Sequence, residues 1–305
     1  MMLSAPIDLQ LVRRLFLHPD RIDGSNFLRR EIAGRMRDKL ELVKIHPLRL
    51  LDAGCGEGND LMQLQDYFPE SHIVGIDASA AMLVSATLKL QAATGSVSRF
   101  LDKWLPSALR TELKHGLACA DFARLPLGSS SVDVVWSNLA LHWHPQPDVV
   151  FAEWRRVLRT EGLLMFSCFG PDTMQELRQA FAVIDQSPHT LPFVDMHDFG
   201  DMLVNSGFST PVMDMEKLTL TYESVDKLFA DARALGGNPL LTRRHGMLGK
   251  HDYRRVCEAL EKMRNQEGRI PLTFEVIYGH AFRPVLRKTA SGESIIHVNF
   301  PKKQL

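Results

Sequence analysis

Cysteine is scarce in this chain of 305 residues, and its four cysteines lie far apart. Cys55, Cys119, Cys168 and Cys257 form no C-x-x-C pair, so the sequence indicates neither a disulfide framework nor a zinc ribbon. The start of the sequence lacks the apolar run of a signal peptide, and no stretch approaches the roughly 20 apolar residues of a membrane span. We therefore expect a cytoplasmic protein with no membrane partner.

An excess of charge of one sign is also missing, because 36 basic residues balance 36 acidic ones. A dedicated nucleic-acid-binding protein usually carries a strong basic excess, so we expect no nucleic-acid partner. The charge is nevertheless uneven, since residues 236–305 hold 13 basic and 6 acidic side chains and therefore a net charge of +7. This basic segment is either a solvated face or a surface for an acidic partner.

Short apolar segments alternate with amphipathic ones through the first half of the chain. This pattern predicts strands at 48–51, 73–77, 117–121, 132–138 and 163–169, with helices at 60–67, 79–92 and 147–158. Two later segments, 218–222 and 273–282, are also typical of strands. Strands that alternate with helices through short links predict an α/β fold, with a parallel sheet covered by helices on both faces.

Helical segments surround this core. Apolar residues at three- and four-residue spacing predict that residues 7–44 are helical, and similar patterns predict helices over 172–184, 196–207 and part of 94–115. Residues 223–268 are predicted to be mostly helical and lie before the last strand. We therefore divide the chain into an N-terminal helical segment, 1–47, and one domain, 48–305, with a helical insertion at about 223–268.

A glycine-rich turn follows the first predicted strand. Asp52, Gly54, Gly56 and Gly58 form D-x-G-x-G-x-G, and Asp77 ends the second strand. Glycines allow a sharp turn and let a ligand lie against bare backbone, while the next helix points its N–H groups at that ligand. A carboxylate in the position of Asp77 can accept hydrogen bonds from ribose hydroxyls. Tight packing alone would explain the glycines, but the whole unit indicates a nucleoside site.

Three segments, LLDAGCGEG, IVGID and CADFARLPL, resemble the cofactor motifs of class I S-adenosylmethionine-dependent methyltransferases. The resemblance covers Leu48 to Gly170. It implies a Rossmann-like, mostly parallel seven-stranded sheet, an N-terminal helical lid and S-adenosyl-L-methionine as the cofactor. It also implies that the three glycines line the methionine part of that cofactor and that Asp77 binds its ribose.

The same resemblance implies roles for four further side chains. Asp52 would hold the turn or the ammonium group of the cofactor, and Asp121 would face the adenine amino group. Phe122 and Met82 would pack on the base. Alternatives stay open at this point, because Asp121 could cap a helix and the two apolar side chains could serve the core.

Segments outside the cofactor core carry a narrower resemblance. VDVVWSNLALHWHPQPD, LLMFSCFGPDTMQELRQAF, DMHDFGDMLVNSGF and FEVIYGHAFRP resemble the malonyl-acyl-carrier-protein O-methyltransferase family over about residues 117–284. The resemblance implies methylation of the free malonyl carboxylate on acyl carrier protein, in biotin biosynthesis. The N-terminal segment FLHPDRID departs from the Phe…Tyr-Asp pattern of that family. A complex I assembly factor of methyltransferase type and a small-molecule (quinone-precursor) methyltransferase are the alternatives.

The acceptor would lie beyond the carboxyl end of the fourth strand, where Asn138, His142 and Trp143 follow. An arginine would hold the malonyl carboxylate through two parallel hydrogen bonds. Candidates for that arginine are Arg243, Arg244 and Arg283, although each could equally be a surface residue. His142 could instead be a packing residue and Trp143 a pocket wall. The His142-Trp-His144 spacing is poor for a metal, so we expect none.

The partner implied by the resemblance is the strongly acidic acyl carrier protein. The basic C-terminal segment offers a complementary face, on which the candidates are Arg243, Arg244, Lys250, Arg254 and Arg255. On the N-terminal helix, Arg29 and Arg30 are further candidates for this docking surface.

Overall fold

The structure is a computed structural model that describes residues 6–93 and 115–285. Its helices are α1 (Leu9–Leu15), α2 (Asn26–Leu40), α3 (Asn59–Tyr67), α4 (Ala80–Ala93), α5 (Pro147–Val157), α6 (Gln175–Phe181), α7 (Met196–Asn205), α8 (Val225–Ala234) and α9 (Lys250–Glu261). Its strands are β1 (Arg49–Ala53), β2 (His72–Asp77), β3 (His115–Cys119), β4 (Val132–Ser137), β5 (Leu158–Phe169), β6 (Ser209–Tyr222) and β7 (Ile270–Phe282). The helix expected within 94–115 lies outside the described residues, apart from His115. In the part of the chain that is described, no helix has the length and apolar character needed to cross a membrane.

The seven strands form one sheet in the order β3-β2-β1-β4-β5-β7-β6. The first five of these are parallel, and β7 runs antiparallel to both β5 and β6. The chain order reverses at β1, whose neighbours are β2 and β4, so a crevice opens beyond the carboxyl ends of these strands. The mostly parallel seven-stranded sheet is therefore confirmed.

Apolar side chains cover both faces of the sheet. Leu50 and Leu51 are adjacent and fully buried, yet they belong to different apolar clusters, because successive side chains of a strand point to opposite faces. Leu50 packs with α2 in one cluster, and Leu51 packs with α5 in the other. Helices on both faces are thus confirmed. The domain boundary at residue 47 stays a prediction.

The N-terminal segment differs from the single helical run expected over 7–44. It forms α1, two short 3-10 turns (Pro19–Arg21 and Asp23–Ser25) and then α2. Pro19 has no N–H to continue a preceding helix, so the chain turns there. The break lets α1 fold back over the carboxyl edge of the sheet, where the backbone carbonyl of Phe16 accepts a hydrogen bond from Ser79 Oγ at 2.7 Å.

The insertion before β7 is present but less helical than expected. It contains α8 and α9, while residues 235–249 between them form a loop. Gly236 and Gly237 follow α8 with φ values of +114° and +76°, a conformation that ends a helix and favours glycine. Further along the loop, Leu240 forms a β-bridge with Ile7, which joins the insertion to the N-terminal segment.

Close packing where β5 meets β7 leaves no room for a side chain at Gly279. A Cβ atom there would lie 2.4 Å from two ring carbons of the fully buried Phe166. We expect Gly279→Ala to lower the free energy of unfolding by about 1–3 kcal/mol, measured by urea denaturation, because overpacking strains a filled core. Gly116→Ala in edge strand β3 is the matched control, since its Cβ would meet only Val74 at an ordinary 3.7 Å. Equal stability of both variants would contradict this account.

Candidate active site

A cavity of about 90 Å³ lies beyond the carboxyl ends of β1, β2 and β4. The N-terminal segment covers it with Val12, Arg13, Phe16 and Ile22. Among the residues that line it are seven that the sequence analysis assigns to the site, namely Gly54, Gly56, Asp77, Met82, Phe122, Asn138 and Trp143. The structure therefore brings most of the expected cofactor residues together beneath the helical segment expected to form a lid.

The three glycines of the turn have different surroundings. All have positive φ values, +83° at Gly54, +51° at Gly56 and +73° at Gly58. A Cβ on Gly54 would lie 2.4 Å from the Cβ of Ala140, whereas a Cβ on Gly56 would meet nothing within 4 Å. Gly58 caps α3 and packs near Ala86, and it does not line the cavity. The cavity is therefore bounded by the first two glycines, while the third serves helix packing.

Asp77 fixes the turn by its two carboxylate oxygens. Oδ2 accepts a hydrogen bond from the Gly56 N–H at 2.9 Å, and Oδ1 accepts one from the Ser79 N–H at 2.8 Å. Burial raises the pKa of Asp77, although these hydrogen bonds and the charge of Arg29 oppose the rise. Each oxygen still has capacity for a second donor, so this side chain can accept bonds from hydroxyl groups of a ligand.

Asp52 lies fully buried at the end of β1. Its Oδ2 atom has no hydrogen-bond partner among the described residues. Burial, together with the charges of Asp60 and Asp77, raises the pKa of Asp52 well above its usual range. Asp60 itself accepts a hydrogen bond from the indole N–H of Trp136 at 3.0 Å. A buried carboxylate oxygen without a donor is costly. Asp52 itself does not line the cavity.

Arg29 lies in a different place from the one that the sequence predicts. It was expected on a docking surface, but it lines the cavity, and its guanidinium makes no hydrogen bond to a described residue. Burial lowers the pKa of Arg29, while Glu57, Asp60 and Asp77 attract its positive charge. Helical spacing could have indicated this inward position, because Arg29 shares a face of α2 with the buried residues Ala33 and Met36. Arg30 is exposed.

Beyond β3, only one of the two residues assigned to the adenine end reaches the cavity. Phe122 lines it and packs against Trp154, with 6.1 Å between ring centroids. Asp121 does not line it, and its Oδ1 accepts a hydrogen bond from the Ala123 N–H at 2.9 Å. No helix begins next to Asp121, because residues 122–131 form turns before β4, so the alternative role as a helix cap is wrong. The side chain stabilises a turn instead.

Asn138 is held rigidly after β4. Its Nδ2 donates to the backbone carbonyl of Arg29 at 3.1 Å, and its Oδ1 accepts from Ser167 Oγ at 2.8 Å. The next residue, Leu139, has a φ of +51°, an uncommon value for a residue with a side chain. Strain of this kind persists where the surroundings hold the backbone, and here it brings Leu139 and Ala140 against the cavity.

His142 and Trp143 lie in a short 3-10 turn, Leu141–Trp143, between two cavities. Trp143 lines both, with the ring of Phe16 edge-on at a centroid distance of 5.3 Å. His142 lines only the second, a largely apolar chamber of about 240 Å³. Its Nδ1 atom is buried without a partner among the described residues, and burial lowers the pKa of His142 to about 3. The imidazole is therefore neutral, and Trp143 is a wall of both cavities.

None of the three arginines proposed for the carboxylate lines either cavity. Arg243 donates to the backbone carbonyl of Leu240, and Arg244 forms ion pairs with Asp185 and Asp252. Arg283 lies at the opposite edge of the sheet, where it bonds to Ser130 and to backbone carbonyls at the start of β5. Helical periodicity could not place them, because all three lie outside helices.

Of the basic side chains expected to bind a partner, three on α9 are exposed. Arg254 and Arg255 are exposed on α9, next to the exposed Lys250. Residues 6–93 and 115–285 contain no group of three or more His, Cys, Asp or Glu side chains arranged to hold a metal ion.

Comparison with known proteins gives concordant results. Residues 51–166 match a family described as a methyltransferase domain. The chain is 42% identical over 299 residues to a malonyl-[acyl-carrier protein] O-methyltransferase of Gallionella capsiferriformans, covering 97% of this chain and 98% of that protein. It is 43% identical over 281 residues to a protein of the same name from Laribacter hongkongensis, covering 90% of each.

The fold has solved relatives at much lower sequence identity. The YcgJ protein of Bacillus subtilis superposes with a TM-score of 0.57 at 15% identity, covering 84% of this chain and 99% of that structure. A likeness at this identity supports the Rossmann-like architecture alone.

The buried neutral His142 predicts a pH dependence of stability. Because its pKa is about 3 in the folded protein and near 6.5 in a free histidine, the unfolded chain takes up a proton as the pH falls below 6.5. The His142 contribution to stability is therefore complete above pH 6.5 and decreases below it. Relative to the parent, His142→Phe should gain about 1.4 kcal/mol in unfolding free energy per pH unit below 6.5, measured by urea denaturation. Parallel curves for both proteins would show that His142 is not buried in a neutral form.

Proposed function

Because this chain belongs to the malonyl-[acyl-carrier protein] O-methyltransferase family, we propose that it methylates the free carboxylate of malonyl-acyl-carrier protein with S-adenosyl-L-methionine. The observation that carries the proposal is the cavity at the switch point of the sheet, which is lined by Gly56, Asp77 and a guanidinium, that of Arg29, with no hydrogen-bond acceptor among the described residues. The resemblance places this reaction in biotin biosynthesis. Four free thiols, all in the described chain, fit the reducing cytoplasm.

The residues at the glycine turn fit the amino-acid part of this cofactor. That part is a zwitterion, with an ammonium and a carboxylate group. Arg29 lines the cavity with a half-buried guanidinium that has no acceptor among the described residues. Asp52 does not line the cavity, but it lies close enough to Asp77 to interact with its charge, and one of its carboxylate oxygens has no donor. Each charge would be compensated by the opposite charge of the ligand, which removes the cost of burying it alone. Asp77 would hold the ribose hydroxyls, and Met82 and Phe122 would contact the base.

The reaction requires the protein mainly to position the carboxylate next to the methyl group. The bound cofactor supplies an electrophilic methyl group on a sulfonium. A malonyl carboxylate has a pKa of roughly 3–4, so it is already ionised at neutral pH and needs no general base. One carboxylate oxygen forms a bond to the methyl carbon as the carbon–sulfur bond breaks, which leaves a methyl ester and S-adenosylhomocysteine. Opposite charges are neutralised in this step, so an environment without water favours it.

The cavity walls provide such an environment. Phe16 and Trp143 meet edge-to-face on one side, and Leu139 and Ala140 lie beside them. The N-terminal segment holds its place by the hydrogen bond from Ser79 to the Phe16 carbonyl, so it excludes solvent from the reacting atoms. Asn138, which is fixed by two hydrogen bonds, would orient the carboxylate at the end of β4.

The direct test is methyl transfer to the proposed acceptor. Purified protein is incubated with malonyl-acyl-carrier protein and cofactor labelled in the methyl group. We expect label in a carrier-protein ester that is released by mild base. Binding of S-adenosylhomocysteine by calorimetry serves as the control for an intact cofactor site. Saturable binding with no transfer would overturn the acceptor, and absence of binding would overturn the whole proposal.

Substitution of the two charged residues in the cofactor cavity tests how the cofactor is held. Asp77→Ala and Arg29→Met should each weaken S-adenosylhomocysteine binding by about tenfold or more, because charge-assisted hydrogen bonds contribute about 1.5–3 kcal/mol. Calorimetry measures the change. Arg30→Met is the matched control for Arg29, since Arg30 is exposed on the same helix and does not line the cavity. Unchanged affinity in Asp77→Ala would place the ribose elsewhere.

Charge reversal on α9 tests the docking of an acidic carrier protein. The double variant Arg254→Glu/Arg255→Glu should raise KM for malonyl-acyl-carrier protein and leave KM for a short malonyl thioester unchanged, because complementary charge acts on the protein encounter. The difference should shrink as salt is added. A rise for both acceptors would show that the pair has no docking role.

A further inference from the structure

The proposed cofactor site does not use the chamber beyond Trp143, yet this chamber is the larger of the two cavities that the indole separates. Its walls come from α6, α8 and the segment before α7, and they include Leu177, Phe181, Phe193, Phe229 and Ala232. Protein interiors contain few voids larger than a water molecule, so an apolar cavity of about 240 Å³ next to an active site is a candidate binding site for a further group.

The chamber continues into a groove that leads away from the cofactor. Five residues line both spaces: Phe181, His189, Thr190, Leu191 and Phe193. Beyond them the groove passes Arg178 and Asp185, so its lining becomes more polar with distance from Trp143. The two cavities and the groove therefore form a sequence of spaces from the cofactor site to the outside of the domain.

Two polar atoms in the chamber walls have no partner among the described residues. They are the Oγ1 of Thr190 and the Nδ1 of His142, and both are buried. A ligand with only an alkyl chain would leave both atoms unsatisfied, and a charged ligand would meet mostly apolar walls. The lining instead suits a flexible group that is largely apolar and carries amide donors and acceptors.

We propose that this chamber and groove bind the pantetheine arm of the acceptor, with Thr190 and His142 as hydrogen-bonding partners of the arm. The inference rests on the proposed function, in which the malonyl unit is attached to such an arm through a thioester. Pantetheine has two amides, a hydroxyl and a pair of methyl groups, which match a mostly apolar wall with isolated polar atoms. The malonyl carboxylate then enters the cofactor cavity past Trp143, and the arm extends through the groove to the carrier protein.

Filling the chamber from α8 tests the path of the arm. Ala232 faces the chamber, so Ala232→Trp should raise KM for malonyl-pantetheine by about tenfold or more, the usual effect of losing apolar contacts in a pocket. KM for malonyl S-methyl thioester, which has no arm, should be unchanged, as should binding of S-adenosylhomocysteine. Ala230→Trp is the matched control, because Ala230 is exposed on the same helix and lines no part of the chamber.

Each other outcome overturns the inference. No change for either acceptor in Ala232→Trp would show that the arm lies elsewhere, and an equal rise for both would show a general distortion. Failure of the proposed function is separable by calorimetry with S-acetyl-pantetheine, which needs no methyl transfer. If the parent protein binds this probe and Ala232→Trp does not, the chamber binds the arm even where the malonyl ester is never formed.

The buried hydroxyl provides a second test that a purely structural role would not satisfy. Thr190→Val keeps the shape of the side chain and removes an unsatisfied polar atom, so the unfolding free energy should stay the same or increase. Binding of S-acetyl-pantetheine should nevertheless weaken by about three- to tenfold, the usual value of one hydrogen bond. Unchanged affinity for the probe would exclude Thr190 from the binding of the arm.

Discussion

The hydrogen bonds of the Asp77 carboxylate are the constraint on which the rest of the site depends. One oxygen holds the Gly56 N–H after β1, and the other holds the Ser79 N–H after β2. A single side chain thus fixes the loops after two adjacent strands, and it does so at the point where the sheet reverses its order. Gly56 can follow this path because its φ is positive. Ser79 in turn binds the Phe16 carbonyl, so the cover of the cavity depends on the same loops.

The charged groups around this carboxylate do not fully neutralise one another in the protein alone. Asp52 and Asp60 lie buried and Asp77 half-buried in the same region, and burial, together with the charges of Asp60 and Asp77, raises the pKa of Asp52. Arg29 interacts with the charges of Asp60 and Asp77 without a direct ion pair to a described residue. A zwitterionic ligand would complete the balance, which explains why charged groups occupy an otherwise apolar interior.

Much of the fold could be predicted from the sequence, because the spacing of apolar residues and the glycine-rich turns depend only on residues that are close together in the chain. The five parallel strands and the position of the insertion before β7 follow from such patterns, whereas the antiparallel direction of β7 does not. The site was predicted where a motif fixes the backbone, as at Gly54, Gly56 and Asp77. Prediction failed for side chains whose partners are distant in sequence. Arg29 lines the cavity because α2 packs on the sheet. Arg283 lies far from the cavity because β7 runs antiparallel and ends at the opposite edge of the sheet.

The backbone bridge between Ile7 and Leu240 joins the two segments that enclose the site. Besides the bridge, the Asp8 N–H donates to the Pro239 carbonyl and the Leu241 N–H donates to the Pro6 carbonyl, each at 2.9 Å. These contacts tie residues 6–8, before α1, to the loop after α8. Any movement that uncovers the adenosyl compound also loosens the rim of the neighbouring chamber, so exchange of the spent cofactor and departure of the esterified product are mechanically linked events.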